Sequence, residues 1–338
     1  MSVNIVSRLR GSLYGLAVGD ALGAPYEFKP RGTYVPTGNM EESSIFTFKG
    51  KPLKAGTWTD DTSMALCLAA SLNEHRGFIW EDAAKKFVRW NIDGYMSAIG
   101  VCFDIGNTTR VALGSYNYQL THKANKPLVL SGPKDAHQSG NGSLMRLAPV
   151  PVFYHQSPKK ALQYTSLQSR ITHASPVAVQ SCLLASLQIV GFVNSEKDTA
   201  KARKEEVLAS RFVPKGLEGV DIEISEREIV NLWEGEWKSN TVDEISTSGF
   251  VVHSHEAALW ALWNTETFEE GMLLLLPLGS DVDTVCAIYG QLAGACYGYE
   301  SIPKRWLDGL QKREILDQVF GTLVELSSQV SDAETTAA

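Results

Sequence analysis

Apolar residues recur at helical spacing along most of the chain. One run follows the i, i+3, i+4, i+7 pattern at Trp80, Ala83, Ala84 and Phe87, and another continues over four turns at Val285, Ile288, Tyr289, Leu292, Cys296 and Tyr299. Similar patterns predict helices over 62–75, 143–152, 158–169, 176–192, 225–235 and 253–265. Strand-like alternation is scarce, and no strand–helix–strand rhythm occurs. The pattern therefore predicts an all-α fold.

Three segments differ from this helical background. Residues 29–58, rich in Gly, Pro, Lys and Thr, are predicted to form a long irregular loop. Residues 200–211 are predicted to form a charged, solvated helix, and residues 327–338 a polar, frayed tail. Since no Pro/Ser-rich linker divides the rest, we expect a compact single domain over residues 1–326.

Glycines recur every four residues in two predicted helices. They are Gly11, Gly15, Gly19 and Gly23 in the first helix, and Gly290, Gly294 and Gly298 near the end of the chain. Each interior glycine costs about 1 kcal/mol relative to alanine, so a packing reason is expected. We predict that these helices pack closely against one another. That contact would bring Asp20 and Glu27 near Asp281 and Asp283.

Composition and charge narrow the class of protein. The chain has 338 residues, of which 44% are hydrophobic and 20% charged, which excludes a disordered, fibrous or disulfide-stapled protein. The net charge of −7 disfavours generic binding to nucleic acid or to an anionic membrane, so no DNA partner is expected.

The expected compartment is the cytoplasm, with the nucleus also open. The stretch Gly11–Ala24 resembles a secretion signal, but Asp20 interrupts it and its glycines are regularly placed. The longest uninterrupted apolar stretch, Met272–Leu278, is too short to span a bilayer. The odd number of cysteines and the absence of CxxC indicate reduced thiols.

Two short acidic motifs, each opening a predicted helix, carry the strongest chemical signal. Their oxygen-bearing residues are Thr59, Asp60 and Asp61 in the first, and Asp281, Asp283 and Thr284 in the second. Hard oxygen ligands suit Mg²⁺ or Mn²⁺ better than Zn²⁺, and four carboxylates from two helices suffice for two ions. The alternative is helix capping. Capping needs only one residue, whereas adjacent Asp60 and Asp61 repel each other without a cation, so we favour a metal site.

Four stretches of the chain resemble the ADP-ribosylglycohydrolase family. They are Gly15–Glu27, the Thr-Asp-Asp-Thr motif at 59–62, Gly140–Arg146, and the segment from Gly249 through Trp260 to the motif at 281–284. Their order and spacing cover roughly residues 8–300. The chain departs from the family at Ser280, where a second glycine is usual, and at Leu278, where a polar residue is common.

The resemblance implies an all-helical fold with a binuclear Mg²⁺ centre (Mn²⁺ is possible), whose ligands would be the six residues of the two acidic motifs. Glu27 matches a mobile catalytic carboxylate in relatives that act on serine-linked ADP-ribose. Cleavage at C1″ of a ribose passes through an oxocarbenium-like state, which a carboxylate acting as acid or base assists. The alternative for Glu27 is a surface glutamate. Asp20 is expected to be structural or to lie behind the ligands.

Candidate substrate contacts come from three places. The loop of Asp104 and Gly106 resembles a family loop near the ribose, with a capped helix start as the alternative. The Gly140–Ser143 segment is predicted to place backbone N–H groups at a helix N-terminus, where a diphosphate could bind, with a simple turn as the alternative. His173 resembles a ligand-contacting position, with a satisfied interior histidine as the alternative. The full set is Asp104, Gly106, Gly140, Asn141, Gly142, Ser143, Met145 and His173.

Other aromatic and histidine residues are ambiguous from sequence. Tyr116, Tyr118 or Phe103 could stack on an adenine, and the sequence does not select among them. His253 and His255 have metal-ligand spacing, but residues two apart on a helix point to different sides, so we interpret them as structural.

The function implied is a Mg²⁺-dependent hydrolase that cleaves the C1″ linkage of ADP-ribosyl-arginine or ADP-ribosyl-serine, releasing ADP-ribose. The partner would be an ADP-ribosylated protein or small molecule. One alternative is hydrolysis of small esters such as ADP-ribose 1″-phosphate. Another is a non-catalytic ADP-ribose binder or a crystallin-like structural protein. The sequence leaves the oligomeric state open.

Overall fold

The computed structural model describes residues 4–123, 126–135 and 138–330. Within them the chain forms α1 (Ile5–Gly23), α2 (Asp60–His75), α3 (Trp80–Asp93), α4 (Asn107–His122), α5 (Pro149–Phe153), α6 (Pro158–Thr172), α7 (Pro176–Asn194), α8 (Ala200–Val207), α9 (Arg227–Glu234), α10 (Val251–Asn264), α11 (Phe268–Leu275), α12 (Val282–Tyr297), α13 (Lys304–Gly309) and α14 (Arg313–Ser327). Two short strands, β1 (Ser43–Phe48) and β2 (Lys51–Leu53), pair antiparallel. The all-α prediction is confirmed.

Helices α1 and α12 form the centre of the fold and cross along their glycine-rich faces. A Cβ atom built on Gly15 would lie 2.1 Å from the carbonyl oxygen of Gly290, and one on Gly290 would lie 2.0 Å from that of Gly15. The pair Gly11 and Gly294 approaches equally closely, with a built Cβ on Gly11 2.2 Å from the oxygen of Gly294. No other residue type fits such backbone contact. The predicted packing of the two glycine series is therefore confirmed.

Helix α7 is the one helix in the described part of the chain that is long and apolar enough to cross a membrane. Of its most apolar window, 94% is buried inside the protein. A helix that is apolar on all sides fits either a membrane or a protein core. Here it packs in the core, with α6 and α12 among its neighbours.

The prediction of an irregular loop over residues 29–58 is wrong in part, because the hairpin of β1 and β2 lies within it. Phe48 pairs with Lys51, and the intervening Lys49 and Gly50 have φ of 52° and 74°. Two central residues with positive φ match the right-handed twist of hairpin strands. Together with the aromatic and β-branched residues at 45–48, this turn favours a strand pair that helical periodicity does not reveal.

The helix predicted over 143–152 is also wrong in its extent. Residues 142–146 form turns, and α5 begins only at Pro149. Pro149 and Pro151 have no backbone N–H, so they cannot donate the bonds that a helix reaching back to residue 143 would need. The Gly140–Ser143 segment therefore does not open a helix.

Residues 200–211 are not a solvated helix. Helix α8 ends at Val207, and both Arg203 and Lys204 are buried. Arg203 Nε donates to the carbonyl oxygen of Cys296 at 2.8 Å, and Lys204 Nζ donates to that of Leu262 at 3.1 Å. Cations are stabilised near helix C-termini, where carbonyl groups lack intrahelical partners. Of the predicted tail, residues 331–338 lie outside the described part.

Candidate active site

The N-terminus of α2 is held against α1 by Asp20. Its carboxylate accepts hydrogen bonds from the backbone N–H groups of Thr59 at 2.9 Å and Thr62 at 3.0 Å, and from both hydroxyls. Thr59, the N-cap residue of α2, makes no side-chain cap bond of its own. Asp20 on α1 therefore serves as the cap of α2 and satisfies its free N–H groups. On the next turn of α1, a Cβ built on Gly23 would lie 2.3 Å from the Cα of Asp283. Helix α1 therefore brings the N-termini of α2 and α12 together.

The two acidic motifs and Glu27 meet at one cavity of about 480 Å³. Glu27, Asp281 and Asp283 each offer a carboxylate oxygen, and these three oxygens lie within 4.8 Å of one another. Asp60 and Thr284 also line the cavity. The other two predicted ligands, Thr59 and Asp61, are fully buried beside it and do not line it, with Thr59 Oγ1 3.3 Å from Asp61 Oδ2. All six predicted ligands and Glu27 therefore belong to one region.

Burial and mutual repulsion raise the pKa values of these acids. Burial, followed by the charges of neighbouring carboxylates, raises the pKa of Glu27 to about 11. The same causes hold the pKa values of Asp60, Asp61 and Asp283 well above the usual range. Burial raises the pKa of Asp20 only to about 6, because hydrogen bonds from Thr62 and Thr59 oppose it. The cluster is therefore unstable as a set of free anions.

A divalent cation fits this arrangement. Glu27 Oε2, Asp61 Oδ1 and Asp283 Oδ1 are buried and have no hydrogen-bond partner. No arginine or lysine of the described residues forms an ion pair with any of these three acids. Unpaired buried carboxylate oxygens are costly, and an all-oxygen donor set is what Mg²⁺ and Mn²⁺ prefer.

A second acidic group, Glu74, His75 and Asp82, has similar spacing and differs in the cation it already holds. Lys86 Nζ lies 2.6 Å from Glu74 Oε2 and 3.1 Å from Asp82 Oδ2. The lysine supplies one positive charge shared by both carboxylates, so this group already has a protein cation where a metal ion would bind.

Asn141 fixes the position of Asp281. Its side-chain Nδ2 donates to Asp281 Oδ2 at 2.6 Å and to Ser254 Oγ at 2.8 Å, while its backbone N–H donates to the carbonyl oxygen of Gly249 at 3.1 Å. The backbone N–H of Asp281 donates to the carbonyl oxygen of Thr247 at 3.0 Å. Asn141 lines the cavity as predicted, and its amide is directed at a carboxylate.

The remaining substrate candidates separate into those at the cavity and one that is not. The cavity is lined by Asp104, Gly106, Gly140, Asn141, Gly142, Met145 and His173. Ser143 does not line it, and its role in substrate binding stays a prediction. The Ser143 hydroxyl is fully buried and hydrogen-bonds with Ser169 Oγ at 2.9 Å and with Cys182 Sγ at 3.4 Å. Since the segment turns without opening a helix, Ser143 points into the core.

None of the three aromatic candidates lies at the cavity. Tyr116 is fully buried and donates to the carbonyl oxygen of Ile171 at 3.0 Å. Tyr118 is exposed and stacks on His122, and Phe103 contacts Phe46 edge-on. These positions are set by the rotation of α4 and by the hairpin, which sequence spacing does not give.

Phe28 lines the cavity and was missed by the sequence reasoning, together with Ile105, Gly249 and Ser280. Phe28 is 65% exposed and has φ of 57°, a left-handed conformation that is unusual for a bulky residue. Its N–H donates to the carbonyl oxygen of Ser280 at 2.7 Å, and the N–H of Ser280 donates to that of Lys29 at 2.9 Å. The only feature of the sequence that could have indicated a cavity position for Phe28 is that it directly follows Glu27.

The two histidines of α10 have separate partners. His255 is fully buried between Ser181 Oγ, 3.0 Å from Nδ1, and Gln188 Oε1, 3.1 Å from Nε2. His253 Nδ1 lies 2.8 Å from Ser248 Oγ. The structural interpretation of this pair is consistent with these contacts.

A cavity lined by buried carboxylates with unpaired oxygens could hold a divalent cation such as Mg²⁺. The sequence profile of the family described as ADP-ribosylglycohydrolase matches residues 1–333. The chain therefore belongs to the ADP-ribosylglycohydrolase family, and it is a hydrolase.

Individual relatives agree over nearly the whole chain. A Serratia proteamaculans protein named ADP-ribosylarginine hydrolase Tri1 is 37% identical over 319 residues, covering 93% of this chain and 79% of the relative. The ADP-ribosyl-dinitrogen reductase glycohydrolase of Rhodospirillum rubrum is 29% identical, covering 95% and 97%. A solved structure described as an ADP-ribosylglycohydrolase-related protein complex has a TM-score of 0.74 and 34% identity, covering 96% of this chain and 99% of its own. These relatives support ADP-ribosyl glycohydrolase activity.

Proposed function

We propose that this hydrolase binds two Mg²⁺ ions, with Mn²⁺ able to replace them, and cleaves the C1″ linkage of ADP-ribosylated substrates to release ADP-ribose. The ligands would be Thr59, Asp60, Asp61, Asp281, Asp283 and Thr284. The observation that carries this proposal is the meeting of carboxylate oxygens of Glu27, Asp281 and Asp283 at one cavity, where Glu27 Oε2 and Asp283 Oδ1 have no hydrogen-bond partner. The other acidic cluster of the described residues, Glu74, His75 and Asp82, already contacts Lys86.

The chemistry divides between the cations and the side chains. When bound, divalent cations supply Lewis-acid polarisation and orient hydroxyl oxygens. Glu27 would move a proton at the scissile oxygen or nitrogen, because its carboxyl group lines the cavity beside the two acidic motifs and keeps one oxygen without a hydrogen-bond partner. Asn141 holds Asp281 in place throughout.

The rest of the cavity would bind the ADP-ribosyl group. A volume of about 480 Å³ lies within the usual range for small-molecule sites. Gly140 and Gly142 line the cavity next to His173, so a diphosphate bound there would lie beside their backbone. Asp104 and Gly106 also line the cavity, just before the start of α4, and the charge of Asp104 acts on Asp60.

Arginine-linked ADP-ribose is the first substrate to test. The support is the name of the Serratia relative, which specifies ADP-ribosylarginine, and its 37% identity over 93% of this chain. Serine-linked ADP-ribose is the second substrate to test, because Glu27 matches the corresponding carboxylate of serine-specific relatives.

A second candidate function is hydrolysis of small esters such as ADP-ribose 1″-phosphate. It is favoured by Ser280, whose side chain is exposed and lines the cavity where the family usually has glycine. A hydroxyl at that place offers a hydrogen bond to a leaving group that a glycine does not. A non-catalytic or crystallin-like role is disfavoured, since all four motif carboxylates are present and the chain is a hydrolase.

Turnover of three substrates separates these functions: an ADP-ribosyl-arginine peptide, an ADP-ribosyl-serine peptide and ADP-ribose 1″-phosphate. Each is assayed with Mg²⁺, with Mn²⁺ and with a chelator, and the Asp60→Asn variant serves as the inactive control. We expect the protein to release ADP-ribose from the arginine peptide with either metal. This activity should be lost when a chelator is present. Absence of turnover on all three substrates with both metals supplied would overturn the proposal. Preference for the phosphate ester would favour the second candidate.

A further inference from the structure

A buried arginine, Arg146, lies behind the cavity wall without a carboxylate partner. It is fully buried, and no ion pair of the described residues includes it. Its Nε donates to Gln168 Oε1 at 3.2 Å, and its Nη2 donates to Thr172 Oγ1 at 2.8 Å and to the carbonyl oxygen of Gln168 at 3.0 Å. The guanidinium also lies 4.5 Å from the ring centre of Phe87. Neutral acceptors and an aromatic face therefore compensate a buried cation.

The Thr172 hydroxyl links Arg146 to His173. Thr172 Oγ1 lies 2.8 Å from Arg146 Nη2 and 2.9 Å from His173 Nδ1. A guanidinium can only donate, so the threonine oxygen accepts from Arg146. Its own proton is then free to be donated to His173 Nδ1.

The opposite arrangement, in which Nδ1–H donates to Thr172, leaves the hydroxyl proton unsatisfied. Within the described part of the chain the Thr172 hydroxyl has these two partners alone, and the residue is fully buried. A buried donor without an acceptor costs roughly 1–3 kcal/mol. The proton of the imidazole therefore belongs on Nε2, because the bond made by one ring nitrogen decides which nitrogen carries the proton.

The Nε2 atom of His173 lies next to Gly140, which also lines the cavity. His173 lines the cavity and is 2% exposed. A Cβ built on Gly142 would lie 2.8 Å from its Cε1, and one built on Gly140 would lie 3.5 Å from its Nε2. No described residue forms a hydrogen bond with Nε2. Both glycines therefore leave the N–H bond unobstructed.

The imidazole is also held neutral. Burial, and secondarily the charge of Arg146, lower the pKa of His173 to about 3. Burial lowers the pKa of Arg146 only to about 10, so the guanidinium keeps its charge near neutral pH. His173 therefore keeps one tautomer and one charge state over the range in which most enzymes work.

We infer that Arg146 and Thr172 are positioning residues that hold His173 as the neutral Nε2–H tautomer, so that it presents one hydrogen-bond donor to an acceptor oxygen of the ADP-ribosyl group. The identity of that ligand rests on the proposed function; the tautomer does not. The acceptor is a phosphate or ribose oxygen, since both offer lone pairs and neither requires a charged partner.

The tautomer is measurable by ¹⁵N NMR on the Mg²⁺-loaded protein labelled at the histidine ring nitrogens. The His173→Gln variant assigns the signal by its disappearance. We expect a protonated Nε2 and an unprotonated Nδ1, unchanged between about pH 5 and pH 8. Thr172→Val removes the hydroxyl at nearly constant shape and should give a mixture of tautomers, with calorimetric affinity for ADP-ribose weaker by about tenfold. Thr172→Ser keeps the hydroxyl and should keep both properties.

Three results would overturn the inference: a protonated Nδ1 in the wild-type protein, an unchanged tautomer in folded Thr172→Val, or a shifted tautomer with unchanged affinity for ADP-ribose. Circular dichroism shows whether Thr172→Val folds. If it does not fold, the wild-type spectrum alone tests whether Thr172 holds His173 as the Nε2–H tautomer. If the expected spectra and affinities are found but none of the three substrates is cleaved, the inference stands and the proposed function fails.

Discussion

The side-chain amide of Asn141 donates a 2.6 Å hydrogen bond to Asp281 Oδ2, a residue 140 positions further along the chain. The same nitrogen donates to Ser254 Oγ at 2.8 Å. One NH₂ group therefore connects the turn at residues 140–143 with α10 and with the N-terminus of α12. A donating amide nitrogen does not bind a cation. Asn141 therefore orients a proposed metal ligand, as partners behind a metal site commonly do.

Asn141→Ala should weaken Mg²⁺ binding by about tenfold or more, because Asp281 loses the donor that orients it. Titration calorimetry on the chelator-treated protein measures the change. Asn73→Ala is a matched control, since it deletes a 2.9 Å bond from an amide nitrogen to the carbonyl oxygen of Val319, away from the cavity. Equal Mg²⁺ affinity of Asn141→Ala and Asn73→Ala would contradict the role of Asn141.

Asp60→Asn and Asp281→Asn should each abolish measurable Mg²⁺ binding while the helical circular dichroism remains. In the metal-free state both variants should unfold at a higher temperature than the wild type, since one of several mutually repelling buried carboxylates is gone. Loss of the helical signal would instead show that these residues serve mainly as helix caps.

The stability of the metal-free protein should fall as the pH rises. The folded-state pKa values of Asp60, Asp61 and Asp283 lie well above their usual range, and that of Asp20 is about 6, so the native state binds more protons than the unfolded state. Their stabilising contribution is therefore complete below the unfolded pKa near 4 and is lost as the pH rises through the folded pKa values. Bound cations should remove this loss.

Thermal unfolding with Mg²⁺ and with a chelator, across about pH 5 to pH 8, tests this linkage. The buried histidines His155 and His255 have lowered pKa values, so their contribution has the opposite sign and is lost as the pH falls. That contribution is the same with and without cation, so the difference between the two curves isolates the carboxylates. A difference that does not grow with pH would argue against cations at this cluster.

Glu27→Gln should reduce turnover by about a hundredfold or more while changing ADP-ribose affinity little, because the carboxyl group acts on the proton of the reaction. The pH dependence of the residual rate should flatten as well. Single-turnover kinetics and calorimetry together separate the two effects. Wild-type turnover in Glu27→Gln would exclude this residue as the catalytic carboxylate.

Gly15→Ala should destabilise the protein by about 3 kcal/mol, because the new methyl group would lie 2.1 Å from the carbonyl oxygen of Gly290. Gly321→Ala is the control on α14, where a Cβ atom meets no heavy atom within 4 Å. That variant should gain about 0.5–1 kcal/mol from helix propensity. Urea unfolding measures both, and equal stabilities would show that α1 and α12 can separate without cost.

The sequence predicted elements whose signal is local and repeated. The glycine spacing of α1 and α12 specified a close helix contact, since only that contact justifies several interior glycines. From this contact the meeting of Glu27 with Asp281 and Asp283 followed, and the structure confirms it. Apolar periodicity did not predict the hairpin, because strand pairing and turn geometry determine that structure. It also placed the start of α5 too early, because Pro149 and Pro151 prevent a helix that reaches back to residue 143.

The helical class and the identity of the acidic residues follow from the amino-acid sequence alone, because both depend only on residue type and spacing. The tertiary structure decided which neighbours those residues meet. It directs Ser143 into the core, puts Tyr116 beneath the surface, and brings Phe28 and Ser280 to the cavity. These outcomes depend on helix rotation and on contacts between segments more than 200 residues apart, such as the bond from Phe28 to Ser280, and no local pattern encodes them.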